Sequence, residues 1–484
     1  MFIMRIARVL GVLGFLVLIA GLGILSSVPF SAYYNDPDVP HLFVSALVTI
    51  TVGGLMMLPL RRKKIELGAR EGFAIVALCW FVIPFFGSFP FLFSGQIPRM
   101  VDAYFESVSG FTTTGGSILS NVEVLSHGLL YWRSLTHWLG GMGIIVLSLA
   151  VLPMLGIGGM QLFKAEVAGP TKNKLTPRVA ETARLLWGLY VILTVAQIVL
   201  LRVGGMPLFD SICHAFATIS TGGFSTKNLS IAAYDSAYID MVVTLFMFIG
   251  GTSFSLHFLA LQGKVRQYRD QEFVFFTITA MVAIFVVAFA VVGKEYGGDI
   301  LQALRYSAFN VMTVMSCTGF ATADFALWSP LAQGVLFFLM FPGATSGSTG
   351  GGMKTVRVLL MLKAGTNLFK RLLHPKAVTP ITFNGALVGM ETMMAIAGFA
   401  MLYFVTFGTG TIVLTAAGSD ILTSMSAVAA NMANVGPGLA AVGPMANYGH
   451  LPDISKWTLD VCMILGRLEI YTVLVLFTKV FWRG

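Results

Sequence analysis

Uninterrupted apolar runs limit what this chain can fold into. They cover residues 9–30, 39–60, 73–95, 135–158, 185–201, 241–261, 273–292, 385–407 and 457–481, and a tenth starts at Leu331, is interrupted by PGATSGSTGGGMKT and resumes at Val356. A helix rising 1.5 Å per residue needs about 20 such residues to cross roughly 30 Å of hydrocarbon. Only 11% of residues are charged and the mean hydropathy is +0.83, so the expectation is an all-α integral membrane protein with ten transmembrane spans. The first run is too long for a cleaved signal peptide and lacks a small-residue cleavage site; it is expected to stay as a helix.

A net charge of +9 would suit nucleic acid, but the basic residues are sorted by loop instead. With ten spans, both termini and the loops RRKKIELGAR, KAEVAGPTKNKLTPRVAETAR, KVRQYRD and KTVRVLLMLKAGTNLFKRLLHPK share one side. They hold 23 of the 31 Lys and Arg residues, against seven on the other side. Positive charge accumulates on the cytoplasmic side, so both termini are expected there, with the bilayer as partner and no nucleic acid. Cys79, Cys213, Cys317 and Cys462 follow no metal or redox spacing, so neither disulfides nor zinc are expected.

Polar, glycine-rich stretches between the runs are harder to place in a membrane. GFTTTGGS around Gly115 returns as TISTGGFS around Gly222, MSCTGFAT around Gly319 and MANVGPGL around Gly436. An aspartate precedes each by 12 to 20 residues (Asp102, Asp210, Asp299, Asp420), followed by a short, moderately apolar stretch. Asp at a helix start accepts from free backbone N–H groups and suits the positive end of the dipole. The expected unit is therefore span, short re-entrant helix, glycine turn, span, four times over, with two extra N-terminal spans outside the repeat. The divisions are 1–66 for those two spans, then 67–165, 166–265, 266–375 and 376–484. Small residues also serve close helix packing, but four copies on one side of the membrane argue for more. Irregular backbone at membrane depth survives only where protein buries it or water lines it. Four such turns around one axis can offer a cation carbonyl oxygens in place of its hydration shell.

With these motifs in view, the chain resembles the Trk/Ktr/HKT superfamily of potassium transporters, and within it the membrane subunits of bacterial Trk uptake systems. The likeness runs through the whole chain. It implies four potassium-channel-like units around one central pore, a homodimer with one pore per chain, the cell inner membrane as location, and potassium as substrate with no bound cofactor. It also implies a separate cytosolic nucleotide-binding regulatory subunit. By motif, the filter comprises Thr113, Thr114 and Gly115; Ser220, Thr221 and Gly222; Cys317, Thr318 and Gly319; and Asn434, Val435 and Gly436. In this superfamily a serine at the first filter glycine goes with sodium permeation. All four positions here are glycine, which favours potassium over the alternative, a sodium-permeable or weakly selective cation transporter.

The interruption at residues 342–355 matches the spacing of a phosphate-binding GxxxxGK[ST] loop at Gly347 and Gly352, yet Met353 intrudes before Lys354 and no strand precedes it. From Gly343 to Gly352 every residue is Gly, Ala, Ser or Thr, which breaks a helix and leaves a loop below the filter. The resemblance implies an intramembrane gate there, including Gly343, Gly347, Gly350, Gly351, Gly352 and Lys354. Asp460, Arg467 and Glu469 fall in the last apolar run, where charge at membrane depth marks function by default. Two expectations stand for Arg467: a structural pair with Glu469 or Glu106, or a place under the filter against the gate loop. His127, His137, His214 and His257 show no metal-ligand spacing, Trp132, Trp138 and Trp457 suit an interfacial belt, and Arg133, Lys227 and Arg305 suggest only anchoring. No paired catalytic carboxylates, HExxH or Ser/His arrangement supports an enzyme.

Overall fold

Glycines make the seam between the first two helices, α1 (Ile6–Tyr34) and α2 (Val39–Met57). In this computed structural model, which describes residues 6–58, 69–150 and 175–483, a Cβ at Gly53 would lie 2.7 Å from the Leu18 nitrogen, and one at Gly21 2.7 Å from Ile50 Cγ1. Small residues let backbones approach where lipid supplies no hydrophobic drive. The expected divisions at 66 and 165, and the basic segments 61–68 and 164–174, lie outside the described residues.

Next come α3 (Ala69–Gly87), α4 (Phe89–Phe93), α5 (Met100–Phe111) and α6 (His127–Ala150). They are followed by α7 (Leu175–Val203), α8 (Leu208–Ile219), α9 (Ala237–Gly250), α10 (Phe254–Leu261), α11 (Gln271–Val291), α12 (Ile300–Met315) and α13 (Pro330–Leu339). The last are α14 (Thr355–Leu373), α15 (Met390–Ala416), α16 (Ile421–Met432), α17 (Asp453–Arg467), α18 (Tyr471–Leu474) and α19 (Lys479–Arg483). Between α14 and α15 a short hairpin pairs Thr382 with Leu387 and Phe383 with Ala386, so residues 385–389, expected to begin a span, close the hairpin and lead into α15, which starts only at Met390.

Burial separates the helices into two kinds. Among the described residues six are long and apolar enough to cross a membrane, and only 22% to 44% of their most apolar windows is buried. Their other faces present Phe285 and Phe289 on α11 or Met401 and Phe404 on α15, a surface that suits lipid and not water. The short helices α5, α8, α12 and α16 are the reverse, buried almost all round along their last turns. The chain is a multi-pass membrane protein with four inner short helices.

Two expected continuous spans are broken. The run 241–261 bends by 97° between α9 and α10, where Gly250, Gly251 and Thr252 end one helix and Ser253 precedes the next. The run 457–481 stops at Arg467, because Glu469 and Ile470 both take positive φ (58° and 49°), which a right-handed helix does not admit. The 342–355 break falls where the sequence places it, between α13 and α14.

Candidate functional site

The four short helices end alike. Residues Thr113, Thr221, Cys317 and Asn434 all take left-handed backbone with φ between 53° and 62°, and the next N–H bonds back five residues: Thr114 to Ser109 O, Gly222 to Ala217 O, Thr318 to Thr313 O and Val435 to Ala430 O, at 2.7 to 2.9 Å. This is the Schellman end, which normally takes glycine at the left-handed position. Here a glycine follows two residues later, again at positive φ: Gly115, Gly223, Gly319 and Gly436, between 83° and 91°. Two successive left-handed turns swing the chain away from the helix axis, and a β-branched Thr in the first costs about 1–2 kcal/mol.

That backbone pattern corrects the register of the second segment. The counterpart of Gly115 is Gly223, and Thr221 matches Thr113, so the expected triplet Ser220, Thr221, Gly222 is one residue early. Ser220 is the helix cap, equivalent to Thr112. A signal for this exists in the sequence: Gly223-Phe224 aligns with Gly319-Phe320.

The segments touch in a closed circuit. A Cβ at Gly115 would press on the Gly222 carbonyl, one at Gly223 on the Thr318 carbonyl, one at Gly319 on the Val435 carbonyl and Pro437 Cδ (2.9 Å), and one at Gly436 on the Thr114 carbonyl (2.5 Å). Only glycine permits these approaches. Behind the ring, Gly140 of α6 and Gly466 of α17 admit the Phe111 and Met432 carbonyls, the last helical residues of α5 and α16. The expected aspartate caps are half present. Asp299 and Asp420 accept from Gln302 N and Thr423 N (3.0 and 2.9 Å). Asp102 and Asp210 lie inside the first turn instead, where Asp102 pairs with Lys456 (2.6 Å) and Asp210 accepts from Thr226 Oγ1 (2.7 Å).

The loop before α14 packs against the inner ends of these helices. Thr349 Oγ1 donates to the Ile219 and Gly250 carbonyls (2.9 and 3.1 Å), Thr345 N donates to the Gly251 carbonyl (3.0 Å), and a Cβ at Gly350 would lie 2.6 Å from the Ser316 carbonyl. Gly351 lies against the Ala433 carbonyl and Asn434 Oδ1. The loop thus meets three of the four segments and fills the break between α9 and α10. Gly343, Gly347 and Gly352 sit at positive φ, with Gly343 against Gly352 across the loop's neck and Gly347 beside Ser253. No strand precedes it, so the phosphate-loop geometry is absent.

Two cations are buried with it. Arg467 Nη1 donates to the Thr349 carbonyl (2.6 Å), while its Nε and Nη2 have no hydrogen-bond partner among the described residues. The structural-pair expectation fails for both carboxylates: Glu469, beyond the helix end, pairs with Arg357, and Glu106 pairs with Arg133. Lys354 Nζ donates to the Gly350 carbonyl (2.5 Å).

A sequence profile of the TrkH family, described as cation transport proteins, matches residues 39–483. The chain belongs to that family. The TrkH potassium uptake protein of the Trk system in Halomonas elongata is 40% identical over 99% of this chain and 100% of its own, and that of Escherichia coli K12 is 38% identical over 99% of each. The crystal structure of the potassium transporter TrkH from Vibrio parahaemolyticus superposes with a TM-score of 0.90 at 36% identity, covering 99% of this chain and 100% of that one. The family is one of transporters, not enzymes.

Within this TrkH-family chain, sequence reasoning passes over the braces of the circuit. Arg133, expected only to anchor, is buried and pairs with Glu106 (2.7 Å); Glu106 also accepts from Ser117 Oγ and Ile118 N, and the guanidinium lies 4.0 Å over Phe224 and bonds the Ser225 carbonyl. Arg133, held by Glu106 beside the first segment, therefore reaches across to the second. His137 does the same, with Nδ1 2.7 Å from the Gly110 carbonyl and Nε2 accepting from Phe224 N (3.2 Å). Tyr448 OH donates to the Gly436 carbonyl (2.6 Å) while Tyr448 N donates to the Ser117 carbonyl (2.8 Å), joining fourth to first. Trp132, expected in an interfacial belt, is fully buried and donates to the Gly87 carbonyl (2.9 Å). Asp460 is buried with neither carboxylate oxygen partnered among the described residues.

Proposed function

We propose that this protein takes up potassium across the cell inner membrane, through a filter formed by the closed circuit of residues 113–115, 221–223, 317–319 and 434–436. The circuit itself carries the reading: four glycines at the same backbone angles, each against the next segment's carbonyl. Helix C-termini converge there, and their negative dipole ends favour a cation. Ten spans, eight of them in four units around this axis, and cytoplasmic termini fit the charge sorting of the loops. The membrane potential drives entry at about 2.3 kcal/mol per charge per 100 mV. Glycine at all four positions supports potassium over sodium.

The loop of residues 343–352 is the gate in this reading. It lies across the inner ends of the filter helices, and Arg467 beside Thr349 adds positive charge to the cation's path. A homodimer and a cytosolic nucleotide-binding subunit complete the assembly in this reading; the Trk-system names of the relatives support the existence of further components. Rubidium flux into liposomes tests the whole: potassium but not sodium should compete, Gly115→Ser should relax that preference, and Arg467→Ala should raise flux. Absence of cation-dependent flux in every variant would sink the reading.

A further inference from the structure

Helix α14 starts badly by its own sequence. Its N-cap residue is Lys354, held at φ 68°, with a side chain that has no acceptor to offer the free N–H groups of the first turn. The acceptor comes from another helix. Glu272, in the first turn of α11 and buried, accepts from Val356 N (3.0 Å) and, with the same Oε1, from Ser346 N (2.7 Å). Ser346 lies in the glycine-rich loop and Val356 just beyond its end, so a single carboxylate holds the loop on both sides of the residues that meet the filter helices. The N-terminus of α11 suits the anion, and Asp270 Oδ1 fixes that turn by accepting from Glu272 N (2.8 Å) and Phe273 N (3.1 Å).

The same turn is fastened to the cytoplasmic hairpin. Asp270 accepts from Asn384 Nδ2, Gln271 N donates back to Asn384 Oδ1 (3.0 Å), and Lys363 Nζ of α14 bridges Gln271 Oε1 (2.5 Å) and the Thr382 carbonyl (2.8 Å). A displacement of the 382–387 hairpin therefore acts on the residue next to the one that grips the loop.

We propose that Glu272 is the positioning residue that clamps the loop shut. This rests on the loop being the gate. Glutamine at 272 keeps an acceptor oxygen without the charge, alanine removes it, and Ser346→Pro deletes one of the two donors while leaving the carboxylate in place.

Rubidium flux into liposomes from the purified full chain, without any regulatory subunit, is compared for the natural chain, Glu272→Ala, Glu272→Gln, Ser346→Pro and a deletion of residues 345–349. The deletion should raise basal flux strongly. Two charge-assisted hydrogen bonds are lost in Glu272→Ala, which should raise it by about tenfold or more, with Glu272→Gln and Ser346→Pro between it and the natural chain. Potassium-over-sodium preference should stay unchanged in the point variants, since none touches the filter. If the deletion raises flux but the point variants do not, the clamp is wrong and the gate stands. If the deletion leaves flux unchanged, the gate reading itself fails and the clamp with it. If Glu272→Ala does not elute as a folded species, Glu272→Gln and Ser346→Pro decide. Relaxed preference in either would mean general loosening and would overturn the clamp.

Discussion

Thr113, Thr221 and Cys317 occupy backbone that side chains ordinarily avoid, and they do so where the four segments meet. Such strain persists only when the surroundings over-determine it, and the braces from Arg133, His137 and Tyr448 do that here. Gly222 and Gly223 separate by the same logic. A Cβ at Gly223 would press on the Thr318 carbonyl at φ +86°, whereas a Cβ at Gly222 would meet the His137 ring first. Gly222→Ala should therefore regain flux when combined with His137→Ala, and Gly223→Ala should not; equal rescue of both would refute the register. Glycines at these turns were legible in the sequence because the backbone angles leave no other choice, but which of Gly222 and Gly223 takes the ring position was not, since two adjacent glycines leave the register open. The braces were not, since a histidine or arginine near a span end carries no sign of which distant carbonyl it meets.

The apolar runs mark where helices lie because lipid leaves the backbone no alternative, but they do not mark where helices break. Gly250 and Gly251 look like packing glycines, and the break between α9 and α10 becomes tenable only because Thr349 and Thr345 take up the freed carbonyls from 94 or more residues away. Caps are another matter. Asp420 lies before α16 outside the spans, and hydrogen bonds from Thr423, first its side chain and then its N–H, hold its carboxyl below the usual carboxylate value. The folded pKa being the lower, this contribution is present above the unfolded value of about 4 and fades as pH falls through the folded one. Asp420→Ala should lower thermal stability by about 0.5 kcal/mol at neutral pH, the low end for a cap because the site is exposed, and by less near pH 3. Melting curves at both pH values check it, and an equal loss at each would show that the carboxylate charge plays no part.

Across the whole molecule, the order of contacts follows the order of the chain: first segment to second, second to third, third to fourth, and fourth back to first. Closing such a circuit demands contacts over more than 300 residues, such as Asn434 Nδ2 to Thr114 Oγ1 at 2.9 Å. No local pattern in the sequence encodes that distance; only the recurrence of the motif hints at it. The closing seam is testable as a unit. Tyr448→Phe removes the hydroxyl that donates to Gly436 O and accepts from Asn431 Nδ2 while keeping the ring, and should weaken ion preference more than it lowers the melting temperature. A large melting shift with unaltered preference would assign Tyr448 to packing alone.

One unbranched chain supplies all four quarters of the circuit, and the quarters differ: Thr-Thr-Gly, Thr-Gly-Gly, Cys-Thr-Gly and Asn-Val-Gly. In an assembly of four identical chains, one codon change is copied into every quarter at once, and a mildly harmful residue is suffered fourfold. Here a single codon change touches a single quarter. Variation can therefore sample the ring one side at a time, and a proline at 437 or an asparagine at 434 has to be accommodated at one seam and not at four.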